Sequence, residues 1–133
     1  MGRVTYQGFA GAWPGQTDDA GFADRMNALP KHVVSTTLTS ADWSNSHLIA
    51  SNVADEVAAL KQGSGQDILI NGSGDLIQSL LPLGLIDEYR LLVYHIVVGA
   101  GKRLFRDGAA ASLKVVETQT FPTGVVLLRY QPA

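Results

Sequence analysis

The three residues Gly72-Ser73-Gly74 are the most informative local signal for chemistry in the sequence. They join a predicted strand, Asp67–Asn71, whose continuous Ile68-Leu69-Ile70 stretch indicates burial on both faces, to a predicted helix. Small residues at such a turn let backbone N–H groups approach a phosphate, and the helix dipole favours the anion. The dinucleotide fingerprint G-x-G-x-x-G needs a glycine where Ile77 stands, which excludes a Rossmann-type site. A tight strand–helix turn that binds nothing remains the alternative.

Two other short segments have residue types that suit an anion. Gly2-Arg3-Val4-Thr5 opens a predicted helix and supplies backbone N–H donors, a guanidinium and a hydroxyl. Ser35-Thr36-Thr37 ends a predicted strand and offers hydroxyls to phosphate or ribose oxygens. Each signal is weak by itself, but all three segments lie at a strand end or a helix start. Together they predict one extended ligand that carries phosphate.

Other candidate motifs do not support a specific chemistry. Gly99-Ala100-Gly101-Lys102 lacks the first glycine and the final Ser/Thr of a P-loop. His32, His47 and His95 are scattered without the spacing of metal ligands, so no metal site is predicted. Asp87-Glu88 are adjacent residues whose side chains point to opposite faces of a strand, and they are interpreted as a helix-to-strand connector. None of these motifs identifies a catalytic residue.

An alternation of helices and strands must position these segments. Apolar spacing predicts helices over residues 3–13, 17–29 and 53–62, and another that follows Gly74 and ends near Pro82 or Gly84. Strands are predicted over residues 32–37, 47–50, 67–71, 88–98, 113–119 and 125–130. Phe121–Gly124 is predicted to be a hairpin turn. Helical crossovers followed by antiparallel strands predict an α/β fold with a mixed sheet.

Composition limits the class of protein. The chain has 133 residues, 46% hydrophobic and 17% charged, with no cysteine and a formal net charge of −2. An ordinary apolar fraction argues against disorder, and the absence of cysteine excludes disulfide scaffolds and thiolate metal sites. The longest apolar stretches reach about ten residues, whereas a membrane-spanning helix needs about 20. The near-neutral charge gives no general attraction for nucleic acid. We expect one soluble, cytoplasmic domain over residues 1–133, without nucleic-acid or membrane partners.

Five segments in a fixed order resemble the dihydrofolate-reductase-like family, which includes the C-terminal reductase domain of the bacterial bifunctional riboflavin-biosynthesis deaminase-reductase. The resemblance runs from residue 2 to about residue 131, and the combination is fairly specific although no single element is. The segments are Gly2-Arg3-Val4-Thr5-Tyr6, Leu29–Thr37, Asp67–Leu76, Asp87-Glu88-Tyr89-Arg90-Leu91 and Val98–Phe105.

The resemblance implies a three-layer α/β/α fold with a mixed central sheet and a C-terminal antiparallel hairpin. It also implies a reductase that uses NADPH to transfer hydride to a pyrimidine- or pteridine-like substrate, and a homodimer. The cofactor-binding positions implied are Gly2, Arg3, Val4 and Thr5 at the cofactor phosphates, Ser35, Thr36 and Lys31 near the 2′-phosphate and ribose, and Gly72, Ser73, Gly74, Asp75 and Leu76 around the pyrophosphate.

One expectation concerns the start of the chain. Members of this family begin with a strand, a substrate-loop segment, a helix and a second strand before the G-R-x-T turn, and here Met1 directly precedes that turn. We therefore expect the N-terminal strands to be missing and the domain to be incomplete at its N-terminus. Two alternatives to the reductase stay open: a non-catalytic nucleotide-binding or dimerisation module, and an inactive truncated remnant.

Overall fold

The fold is described from a computed structural model that covers residues 1–133. The chain forms two compact units, Met1–Leu76 and Ile77–Ala133. The helices are α1 (Arg3–Ala12), α2 (Phe22–Ala28), α3 (Val53–Gln62), α4 (Gly74–Leu80) and a short 3₁₀ helix over Leu81–Leu83. None of them has the length and apolar character needed to cross a bilayer. The strands are β1 (Lys31–Val34), β2 (Ser46–Ile49), β3 (Tyr89–Val93), β4 (Leu113–Thr120) and β5 (Val126–Pro132). The predicted α/β class is confirmed.

The first unit contains a parallel pair of strands extended by the first two residues of the chain. β1 and β2 are neighbours, with Val34 opposite Ile49. Met1 and Gly2 run beside β1 as well: the Val34 N–H donates to Met1 O at 2.8 Å, and Gly2 forms a parallel bridge with Val34. α1 begins directly after this bridge. Its first turn therefore lies at the carboxyl end of β1, which is where ligands bind in α/β proteins.

The core of the first unit joins one face of α1 to β1 and to the loop that follows it. Tyr6, Val33 and Trp43 are buried together, and Phe9, Ala10 and Trp13 pack against them, as the spacing in α1 predicts. The Tyr6 hydroxyl accepts the backbone N–H of Trp43 at 2.9 Å, so the buried polar atom has a partner. This bond fixes α1 to the chain between β1 and β2.

The second unit contains an antiparallel sheet in the order β3-β5-β4. The predicted turn before β5 is confirmed: the Phe121 N–H donates to Val125 O and the Gly124 N–H donates to Phe121 O, each at 2.9 Å. Gly124 has a φ of +85°, which glycine adopts without steric cost. The sheet also has a bulge in β4 between Val115 and Glu117.

The predicted strand over Asp67–Asn71 is wrong. Residues 67–70 form no strand, and Ile68 and Leu69 are 50% and 74% exposed rather than buried on both faces. The physical reason is that no strand of this chain pairs with the segment, so its backbone has no ladder and its apolar side chains have no covering layer. For the same reason the chain has separate parallel and antiparallel sheets, not the single mixed sheet that was predicted.

The predicted strand over residues 88–98 is too long. β3 ends at Val93, which pairs with Val126, the first residue of β5. Beyond Val93 the partner strand offers no further residue, and residues 94–98 leave the sheet. Ile96, Val97 and Val98 are 65%, 96% and 78% exposed.

His32 and His47 form a stacked pair across the parallel strands of the first unit. They lie opposite each other in the register, and their ring centroids are 5.4 Å apart. Burial, the neighbouring His47 and the N-terminal ammonium lower the pKa of His32, while Glu56 in α3 acts in the opposite direction. The folded state therefore favours neutral His32, whereas the unfolded chain binds the proton at the ordinary histidine pKa of about 6.5.

We expect the free energy of unfolding to fall as the pH drops from about 7 to about 5, because protonation of His32 favours the unfolded chain. His32→Gln should reduce this pH dependence, measured by urea denaturation at several pH values. If the free energy of unfolding of His32→Gln fell with pH as steeply as that of the unsubstituted chain, the pH dependence would not come from His32.

Candidate functional site

The start of α1 and the turn before α4 are joined by direct hydrogen bonds in the first unit. The Gly2 N–H donates to the Ser73 hydroxyl oxygen at 2.9 Å, and the Ser73 hydroxyl donates to Thr5 Oγ1 at 3.0 Å. Asn71 O is a second acceptor for the same hydroxyl at 3.2 Å. Two of the three segments predicted to bind an anion are thus held side by side.

Left-handed backbone conformations shape the turn. Gly72 has a φ of +59° and Ser73 a φ of +55°, and α4 starts at Gly74. A Cβ at position 72 would lie 3.5 Å from Thr5 Oγ1, whereas a Cβ at position 74 would meet nothing within 4 Å. The space around Gly74 is therefore open, and a ligand atom can approach the backbone there.

The first turn of α1 supplies free donors and a positive charge. The first hydrogen bond within the helix runs from the Tyr6 N–H to Gly2 O at 3.0 Å, so the N–H groups of Arg3, Val4 and Thr5 have no acceptor in the helix. The Arg3 side chain is exposed and donates to Gln7 Oε1 at 3.1 Å. The turn can therefore bind an anion through backbone donors and one guanidinium.

The third predicted segment, Ser35-Thr36-Thr37, follows β1 and is linked to the start of α1 through Gly2. Ser35 comes directly after Val34, the residue that Gly2 bridges. The Ser35 side chain is used internally, because its oxygen accepts the N–H groups of Thr37 and Leu38 at 3.2 and 3.1 Å. Thr36 and Thr37 are both exposed to solvent.

The ammonium of Lys31 lies at the end of α2, not at the start of α1 or at the Gly72–Gly74 turn. Its ammonium is buried and donates to the carbonyl oxygens of Met26, Asn27 and Leu29 at 3.1, 2.8 and 2.9 Å. It also lies 4.1 Å from the centroid of the Trp43 ring. All three of its donors are used at the end of α2, where a positive charge stabilises the free carbonyl groups. Burial lowers the pKa of Lys31.

The last two predicted residues lie in the first turn of α4. Asp75 is exposed, and its carboxylate adds a negative charge close to the turn. Leu76 is 8% exposed and belongs to the hydrophobic interior. Leu76 can therefore contribute its backbone to a ligand, but its side chain is committed to packing.

A cavity of about 480 Å³ lies beside α1, next to the segment that follows Thr37. Apolar side chains and the polar Gln7, Ser40 and Asp42 line it. Its volume is in the range of small-molecule pockets. Gln7 lines the cavity and also accepts the hydrogen bond from Arg3.

Glu88 in the second unit is a member of an ion-pair network. Its carboxylate accepts from Arg129 Nη2 at 2.8 Å and from Arg90 Nε at 2.5 Å, and Arg129 also pairs with Glu117. The bonds from Arg129 and Arg90 lower the pKa of Glu88 to about 2. A carboxylate that stays ionised at neutral pH is a poor general acid or base. Asp87 and Glu88 connect the 3₁₀ helix to β3, which confirms their interpretation as a connector.

Sequence reasoning missed two features of the site. Gln7 orients Arg3, and the i, i+4 spacing of the two residues is the signal that could have revealed it. The bond between Ser73 and Gly2 had no signal in the sequence, because it joins residues that are 71 positions apart.

A family model and one sequence relative match most of the chain. A family model described as the RibD C-terminal domain matches residues 1–127. The chain is 41% identical over 106 residues to the uncharacterized protein YyaP of Bacillus subtilis strain 168, an alignment that covers 79% of this chain. The chain spans only 56% of the length of that relative.

Two solved structures share the fold. A putative riboflavin biosynthesis protein from Shewanella sp. PV-4 has a TM-score of 0.78 at 24% identity, over 100% of this chain and 72% of its own. A pyrimidine reductase-like protein from Corynebacterium diphtheriae has a TM-score of 0.53 at 18% identity, over 77% of this chain and 49% of its own. At these identities the likeness concerns the fold alone.

The two glycines of the turn should respond differently to an added methyl group. Gly72→Ala forces alanine into the left-handed region and should lower the free energy of unfolding by about 1–2 kcal/mol. Gly74→Ala is the matched control, because its Cβ points into open space at the first position of α4, and it should not destabilise the chain. Urea denaturation of both variants measures the difference, and equal stabilities would contradict this description of the turn.

Proposed function

Because the chain belongs to the RibD C-terminal domain family, we propose that it is a reductase which uses NADPH to reduce a pyrimidine- or pteridine-like heterocycle. The family match supports reductase chemistry. The names of the two structural neighbours, a riboflavin biosynthesis protein and a pyrimidine reductase-like protein, favour a heterocyclic substrate. The identity of the cofactor as NADPH and the class of substrate are the parts that we propose.

The observation that carries the proposal is the position of Gly2. It bridges Val34 next to Ser35, and its N–H bonds to Ser73 in the turn before α4. The segments predicted to contact different parts of one dinucleotide thus have Gly2 as a common neighbour. In our proposal the pyrophosphate lies between the first turn of α1 and Gly72–Gly74. The 2′-phosphate and ribose lie near Thr36.

The residues present fit such a ligand. An added Cβ at Gly74 would meet nothing, so a phosphate oxygen has room to reach the backbone there. The N–H groups at the start of α1 lack acceptors within the helix, and the exposed Arg3 supplies charge. When bound, NADPH supplies a hydride from nicotinamide C4 to an electrophilic carbon. The residues of this chain bind and orient the cofactor phosphates, and no catalytic side chain is assigned.

A nucleotide-binding module without turnover is the second candidate. It is favoured by the same phosphate-binding geometry together with the absence of an assigned acid or base. The two candidates differ in one result: a reductase oxidises NADPH when a suitable heterocycle is added, whereas a binding module binds NADPH and leaves it unchanged.

We expect NADPH to bind to the 133-residue chain and Arg3→Ala to weaken this binding about 10- to 100-fold, because a charge-assisted bond to phosphate contributes roughly 1.5–3 kcal/mol. Titration followed by NADPH fluorescence measures the dissociation constant. Arg25→Ala is the matched control, since Arg25 is also an exposed arginine but lies in α2. No binding of NADPH at concentrations near millimolar would contradict the proposal, and so would equal affinities of the two variants.

A further inference from the structure

Ser73 adopts a backbone conformation that serine rarely adopts. The non-glycine residues with positive φ are Asn45, Asn52 and Ser73, and asparagine is a residue type that tolerates this region. For serine the left-handed conformation is unfavourable, and glycine would adopt it freely. Some interaction of the side chain must therefore offset the backbone strain at position 73.

The hydroxyl of Ser73 makes that interaction, and it is fully used. A serine hydroxyl has one proton to donate and accepts through its lone pairs. Here it accepts the Gly2 N–H at 2.9 Å and donates to Thr5 Oγ1 at 3.0 Å, with Asn71 O at 3.2 Å as the alternative acceptor. The single proton is thus engaged within the protein, and none is left to donate to a phosphate.

We propose that Ser73 is a positioning residue that acts on the ligand through α1. Its hydroxyl fixes the first turn of α1 against the Gly72–Gly74 turn, so that the N–H groups of Arg3, Val4 and Thr5 and the open backbone at Gly74 face the same phosphate. This inference rests on the proposed function, because the phosphate is that of the bound nucleotide. It differs from the role implied by the resemblance, in which Ser73 belongs to the residues around the pyrophosphate.

Replacing Ser73 by glycine separates positioning from stability. Ser73→Gly removes the bonds to Gly2 and Thr5 but also removes the backbone strain, whereas Ser73→Ala removes the bonds and keeps the strain. If Ser73 only stabilises the fold, the affinity for nucleotide follows the melting temperature, and Ser73→Gly binds better than Ser73→Ala. If Ser73 positions α1, both variants lose affinity alike while their melting temperatures differ.

The experiment measures the NADPH dissociation constant by fluorescence titration and the melting temperature of each variant. We expect Ser73→Gly and Ser73→Ala to bind NADPH about tenfold more weakly, with the higher melting temperature for Ser73→Gly. Ser64→Gly, at an exposed serine outside the site, is the control and should keep the unsubstituted affinity.

Each outcome has one meaning. Unsubstituted affinity in Ser73→Gly would overturn the positioning role and leave the proposed function standing. Affinities that rank with melting temperature would also overturn it. No NADPH binding by the unsubstituted chain would overturn the proposed function and this inference together.

Discussion

The N–H of Gly2, just before the first residue of α1, has no acceptor in that helix, and it finds one 71 residues away on the Ser73 hydroxyl. Because Gly2 also bridges Val34, this one bond connects the end of β1, the start of α1 and the turn before α4. The bond from the Ser73 hydroxyl to Thr5 Oγ1 joins the same helix start and turn a second time. The candidate site depends on this connection more than on any single charged side chain.

Hydrogen-bond satisfaction decides which polar groups remain available for a ligand. Lys31 has the charge for a phosphate, but its three donors are used by the last carbonyl groups of α2. The Ser35 hydroxyl is similarly occupied by two backbone N–H groups of the following turn. Arg3 is exposed and bound only to the neutral Gln7 side chain, so it can turn to an anion at low cost. From residue type alone, Lys31 and Ser35 would be expected to be as available to a phosphate as Arg3.

Local patterns in the sequence predicted the parts of the fold that local interactions determine. The spacing of Tyr6, Phe9 and Trp13 identified the buried face of α1, and Phe121–Gly124 identified the hairpin before β5. The Gly72–Gly74 turn was also identified, because small residues between an apolar stretch and a helix start are a local signal.

Features that depend on distant partners could not be predicted in the same way. Ile68-Leu69-Ile70 has the composition of a buried strand, but a strand needs a neighbour, and none of the chain pairs with it. The roles of Lys31 and Ser73 depend on which carbonyl or N–H group the fold brings within 3 Å, and this information is absent from the spacing of residues. The predicted homodimer and the membership of all twelve cofactor-binding positions stay predictions.

The central claim is that a nucleotide phosphate binds where Gly2, the first turn of α1 and the Gly72–Gly74 turn meet. Nitrogen–proton NMR spectra of the labelled chain, recorded during addition of NADPH, test it most directly. We expect the amide signals of Arg3, Val4, Thr5 and Gly74 to move together with one dissociation constant, while those of β4 stay in place. Shifts confined to other residues, or no shifts at millimolar NADPH, would contradict it.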